Sequence, residues 1–197
     1  MSNERGNMKV YFIGAHSTGK TTCARYVSEK FRLPMITEVA RMILSEKELH
    51  LDSLRYNIDL VNNYQRQIFY RQIEEEKKNS SFVSDRSFDC LAYAAQHSQI
   101  LSELIHSKEL DAYLDSLRQP DVFIFFVRPS RATLKADGVR ESLTWDGVVA
   151  IDAMVKLLLQ MFKLRHFTID TDSMQERIQL IDSVIAIGAR SEEGWKE

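Results

Sequence analysis

The stretch that most constrains this chain is Gly14-Ala15-His16-Ser17-Thr18-Gly19-Lys20-Thr21. It follows Lys9-Val10-Tyr11-Phe12-Ile13, a short apolar run rich in β-formers, and leads into the helical segment Thr22-Cys23-Ala24-Arg25-Tyr26-Val27. Strand, glycine loop, Lys-Thr and helix are the context that the pattern G-x-x-x-x-G-K-[ST] requires. The glycines let the backbone curl around a polyphosphate, so that its N–H groups and the following helix N-terminus face anionic oxygens. Residues Gly14 to Thr22 are thereby expected to bind a phosphate chain, with Lys20 on its β/γ-phosphates and the Thr21 hydroxyl on Mg²⁺. His16 reads as a variable position of the loop.

At 197 residues the chain fits one domain with a sizeable core. A net charge of −2 gives no global attraction to nucleic acid. Cys23 and Cys90 show no disulfide or metal spacing, which points to a reduced, cytoplasmic protein. No segment approaches the length of a membrane span, and the polar residues 1–7 lack an apolar signal core. They read as a disordered tail, residues 8–187 as a single domain, and 188–197 as a polar tail.

Along the chain, strands are expected over 8–13, 33–37, 81–84, 122–127 and 167–170. The fourth, Val122-Phe123-Ile124-Phe125-Phe126-Val127, is an unbroken apolar run suited to burial on both faces of a parallel sheet. Helices are expected over 20–31, 41–50, from an Asp52 cap through Ile73, through 90–95, near 108–118, from Asp146 to Met161, and from a Ser173–Glu176 capping box onward. The charged run Glu74-Glu75-Glu76-Lys77-Lys78 reads as a solvated helix end. Strands alternating with helices predict an α/β fold, a three-layer sandwich around a five-stranded parallel sheet. The irregular stretch near 129–145 reads as a short lid.

Ligands of such sheets bind beyond the carboxyl ends of the strands. Glu38 and Arg41 follow strand two, Asp85, Arg86 and Asp89 follow strand three, and Arg128 and Arg131 follow strand four. Asp137 and Arg140 lie in the irregular stretch, and Asp170, Thr171 and Asp172 follow strand five. Asp85 ends an apolar strand, where an acid can accept a hydroxyl proton or hold a Mg²⁺ water; capping the next helix is its other use. Arg128, Arg131 and Arg140 carry planar, permanent charges suited to a migrating phosphoryl group, or else lie on the surface. Glu38 and Arg41 can equally form a helix-surface ion pair.

This order of elements resembles small P-loop kinases of the nucleoside and nucleotide type. It is nearest to the ribosylnicotinamide-kinase-like group of AAA-type domains, through Glu38-Val-Ala-Arg41 and Asp137-Gly138-x-Arg140. Asp85-Arg86-Ser87 followed by Ala92-Tyr93, with Pro120-Asp121 before strand four, is similar to thymidylate kinase. The resemblance implies that Lys20, Asp85, Arg128 and Arg140 serve phosphoryl transfer, with Thr21 and Asp85 at the metal. It further implies that Glu38, Arg41, Arg86, Asp89 and Asp137 meet the acceptor, a nucleoside-like small molecule, in a monomer or homodimer. Three alternatives stay open: a nucleotide-hydrolysing switch acting with a partner, a nucleotide-binding module without turnover, and a kinase acting on nucleic acid. Strand four ends Phe126-Val127-Arg128 without an acid to polarise water, which speaks against the first.

Overall fold

In the computed structural model, side chains of strand β1 (Lys9–Ile13) alternate between two separate apolar clusters. Val10 and Phe12 enter one; Tyr11 and Ile13 enter the other. That alternation is the pleat of a strand buried on both faces, and it dictates three layers. The structure describes residues 7–37, 57–131 and 144–193, together with Val39 and Ile43, and side chains as far as residue 188. The sheet also contains β2 (Met35–Ile36), β3 (Phe82–Ser84), β4 (Val122–Val127) and β5 (Phe167–Ile169). All pairings are parallel, in the order β2-β3-β1-β4-β5. β1 lies centrally, with Tyr11 opposite Ser84 on one side and Ile124 on the other.

Helix α1 (Lys20–Phe31) covers one face through Cys23, Ala24 and Val27, and α7 (Met174–Glu193) joins it through Ile181 and Ile185. On the opposite face lie α2 (Ile58–Lys77), α3 (Cys90–His97), α4 (Leu101–Ile105), α5 (Lys108–Leu117) and α6 (Trp145–Met161). Their contribution includes Ile68, Phe69, Leu91, Leu104, Leu114, Val155 and Leu158. No helix among the described residues is long and apolar enough to cross a membrane.

The five strands lie where the sequence places them, each trimmed by two or three residues at most. Helix α2 starts at Ile58 rather than near Asp52, because the Asn57 side chain accepts the Asp59 and Leu60 N–H groups at 3.0 and 3.1 Å. Asp52 and the 41–50 helix lie outside the described residues. The five residues of α4 are too few for a helical period to show in the sequence. Only half of the expected capping box forms. Glu176 N–H donates to Ser173 Oγ at 3.4 Å, while the Glu176 carboxylate accepts from the Thr171 hydroxyl instead.

One expectation fails instructively. Glu76, read as part of a solvated helix end, is 7% exposed. Its Oε2 accepts from Tyr11 Oη at 2.7 Å, and its Oε1 from Tyr113 Oη at 2.6 Å and Gln72 Nε2 at 2.8 Å. Gln72 also donates to Ser84 Oγ at 3.1 Å and the Arg86 carbonyl at 3.4 Å, while Tyr113 Oη shares a hydrogen bond with Ser87 Oγ at 2.8 Å. A buried carboxylate survives because three donors satisfy it. Through those donors it pins the segment leaving β3.

Burial pushes the Glu76 carboxyl from 4.5 up to about 7, against the pull of Tyr113, Gln72 and Tyr11. A group that holds its proton more tightly when folded favours the fold at low pH, and that contribution is lost as pH rises through about 7. The shift corresponds to about 3 kcal/mol. Glu76→Gln keeps the shape and most of the hydrogen bonds but cannot titrate. Urea unfolding across pH 5 to 8 is therefore expected to show the variant gaining on the wild type as pH rises, by up to that amount. Parallel stability curves would contradict this account.

Candidate active site

A parallel sheet delivers the carboxyl ends of its strands to one edge, and the loop from Gly14 to Gly19 leaves β1 there. Its backbone takes conformations that side chains disfavour: φ is +135° at Gly14, +58° at Ser17 and +91° at Gly19. A Cβ on Gly14 would lie 2.4 Å from the Val127 carbonyl oxygen, so the loop turns hard against the end of β4. Gly19 stands at the N-terminus of α1 with no side-chain cap. A glycine has no side chain to cap the first-turn N–H groups of that helix, and a helix N-terminus suits an anion.

Three side chains grip the loop by its backbone. Lys20 Nζ donates to the Gly14 carbonyl at 2.9 Å and to the Ala15 carbonyl, which sets the ammonium inside the loop. Asp89 Oδ2 accepts the Gly14 N–H at 3.4 Å. Arg177 Nη1 donates to the Thr18 carbonyl at 2.6 Å. Within the loop, Thr18 Oγ1 also donates to the Ala15 carbonyl at 3.1 Å. Thr22, one position past Thr21, is exposed on α1.

Asp85 is the first residue beyond β3 and lies 6% exposed. Its Oδ2 accepts the Thr21 hydroxyl at 2.6 Å, whereas its buried Oδ1 has no hydrogen-bond partner among the described residues. A buried carboxylate oxygen without a donor is costly and asks for a cation. The hydroxyl and carboxylate are hard oxygen ligands of the kind Mg²⁺ takes alongside phosphate and water. The residues present thus fit that ion. Among the described residues no group of three His, Cys, Asp or Glu could hold a metal, so the nucleotide would complete the ligand set. Capping is not the role of Asp85, because α3 begins at Cys90, five positions later.

Next in the chain, the Arg86 guanidinium lies over the Tyr93 ring, 4.9 Å from its centre. Burial opposes charge on Arg86, but the Tyr93 oxygen, Asp89 and Asp85 hold its pKa above the ordinary value. Tyr93 Oη also meets His16 Nδ1 at 3.3 Å, tying this segment to the phosphate loop. Asp89, expected at the acceptor, is 0% exposed and accepts the Ser87 N–H at 2.7 Å as well as that of Gly14. Burial pushes its carboxyl up, against Arg86, Lys20 and those two N–H donors.

At the ends of β4 and β5 the arginines find partners. Arg128 Nε donates to Asp152 Oδ1 at 2.9 Å and Nη2 lies 2.8 Å from Oδ2, an ion pair to α6. Arg131 lies 5.1 Å from the Trp145 ring centre at the start of α6. Ser130 Oγ donates to Asp172 Oδ2 at 2.7 Å, joining the segments after β4 and β5. Glu38, Arg41, Asp137 and Arg140 lie outside the described residues. Sequence reasoning missed Arg177. The signal was there: it precedes Ile181 and Ile185 by four and eight positions, on the buried stripe of α7.

Gly14→Ala is expected to cost at least about 2 kcal/mol, from the left-handed φ and the overlap with a backbone oxygen that cannot retreat. Thermal unfolding of the two proteins checks it, and an unchanged midpoint would refute it.

The family model of an AAA domain matches residues 9–177, from the first residue of β1 to Arg177. No curated protein matches in sequence. Among solved structures, NadR in complex with NAD and AMP-PNP is similar at a TM-score of 0.67 and 19% identity, over 90% of this chain and 48% of that one. Deoxyadenosine kinase from M. mycoides with bound dATP is similar at 0.63 and 15% identity, over 91% and 100% of the two chains. For shikimate kinase from Acinetobacter baumannii in complex with shikimate the values are 0.53 and 14%, over 89% and 93%. At such identities the likeness is one of fold. With the motif in place at the edge of a 2-3-1-4-5 parallel sheet, the chain belongs to the AAA domain family and has the fold of small P-loop kinases.

Proposed function

We propose that this protein transfers the γ-phosphoryl group of ATP to a nucleoside, nucleotide or related small metabolite. The observation that carries this reading is the Thr21–Asp85 contact at 2.6 Å, an acid just past β3 beside the hydroxyl of the loop, while Arg128 follows β4. Structures of similar fold were solved with AMP-PNP or dATP bound, which supports a nucleoside triphosphate as the donor.

Phosphoryl transfer asks the protein for alignment and charge neutralisation rather than covalent chemistry. Lys20 supplies a positive charge inside the loop, and the α1 N-terminus adds its N–H donors. Thr21 and Asp85 would hold Mg²⁺, which when bound offsets charge on the β- and γ-phosphates. Arg86, held over the Tyr93 ring, would meet the acceptor. Asp89 acts through the loop, fixing Gly14 and Ser87 instead of meeting the acceptor in the open. In this reading Glu38, Arg41 and Asp137 meet the acceptor and Arg140 serves the transfer. The ion pair with Asp152 gives Arg128 a steadying role at the end of β4. Two buried free cysteines suit a reducing cytoplasm.

Transfer of labelled γ-phosphate from Mg-ATP across nucleosides, nucleoside monophosphates and ribosylnicotinamide identifies the acceptor. With that acceptor, Lys20→Ala is expected to abolish turnover, and Asp85→Asn to lower kcat by on the order of 10² or more. Full activity in Lys20→Ala would sink the proposal.

A further inference from the structure

Arg177 is 3% exposed and lies on the buried stripe of α7, where Ile181 and Ile185 continue the same face. It occupies the first turn of that helix, where the macrodipole disfavours a cation. Its nearest carboxylate contact among the described residues is long, Nη2 to Asp172 Oδ1 at 4.0 Å. A desolvated guanidinium with so remote a counter-charge is costly, and an apolar side chain would serve packing better.

Its hydrogen bonds show what the cation does instead. Nη1 donates to the Thr18 carbonyl at 2.6 Å, and Nε donates to the Thr171 carbonyl at 2.7 Å. One planar group thus bridges the phosphate loop and the loop after β5, separated by about 150 residues of chain. Contact with the loop is close: a Cβ on Gly19 would lie 2.8 Å from Nη1. In a trans peptide the C=O and the following N–H point in opposite directions. Drawing the Thr18 carbonyl toward α7 therefore turns the Gly19 N–H away from α7.

We infer that Arg177 is a positioning residue for the donor nucleotide, turning the Thr18–Gly19 peptide so that its N–H faces the phosphates and fixing the loop after β5 to it. This rests on the reading of the loop as the ATP site. Arg177 acts through two backbone carbonyls and touches no reacting atom. Its permanent charge behind the loop adds to the positive field there.

Calorimetric titration with Mg-ADP, together with KM for ATP and for the acceptor, tests the inference in the full chain. Arg177→Met is expected to weaken Mg-ADP at least about tenfold and raise KM for ATP, with KM for the acceptor unchanged. Arg177→Lys is expected to recover only part of the affinity, because one ammonium cannot hold both carbonyls in the arginine's geometry. Should the methionine variant fail to fold, the lysine variant carries the test. Binding within twofold of wild type in Arg177→Met, full recovery in Arg177→Lys, or equal losses for nucleotide and acceptor would each overturn the assignment. Failure of the wild type itself to bind Mg-ADP would instead overturn the proposed function.

Discussion

The backbone between Gly14 and Lys20 has to present its N–H groups to one centre, and the rest of the site depends on that constraint. Positive φ at Gly14, Ser17 and Gly19 makes the turn possible but does not make it unique. Uniqueness comes from outside the loop. Asp89, ahead of α3, takes the Gly14 N–H, and Arg177, on α7, takes the Thr18 carbonyl. Lys20 closes the loop from within. Elements from both faces of the sheet therefore converge on seven residues, and the phosphate cradle is a product of the tertiary fold.

The same economy governs the segment after β3. Asp85 and Arg86 sit between two sets of contacts: Thr21 and Tyr93 in front, and the Glu76 network behind. Gln72 reaches Ser84 and Arg86, and Tyr113 reaches Ser87, both while donating to Glu76. Burying a carboxylate costs stability near neutral pH. In return, it orders the four residues that carry the acid and the arginine of the site. An apolar replacement would leave the Tyr11 hydroxyl unsatisfied in the core and take one acceptor from Tyr113 and from Gln72.

Much of this was legible in the sequence, for identifiable reasons. The phosphate loop announces itself because its chemistry needs fixed residues at fixed spacing. β4 shows because six apolar residues in a row suit a doubly covered strand. Residues after strands were nominated by the geometry of parallel sheets, Asp85 and Arg86 among them, and the structure places Asp85 against Thr21 of the loop. What stayed hidden were partnerships across the fold. Glu76 looked solvated because its neighbours Glu74, Glu75, Lys77 and Lys78 are charged, and only tertiary packing singles out one carboxylate of the run. Arg177 was passed over because a charge on an apolar stripe reads as an interruption, although its spacing to Ile181 and Ile185 is that of a buried position. Asp89 was expected at the acceptor, and its contact with the Gly14 N–H was not visible in the sequence.

The chain matches the AAA domain family and shares the fold of small P-loop kinases, and the function proposed for it is transfer rather than hydrolysis. One measurement addresses that separation directly: the wild-type rate of acceptor phosphorylation from Mg-ATP, compared with its rate of ATP hydrolysis in the same mixture. Phosphorylation of one small acceptor far exceeding hydrolysis is the predicted result. Hydrolysis alone, undiminished by any acceptor and with no phosphorylated product, would contradict the account.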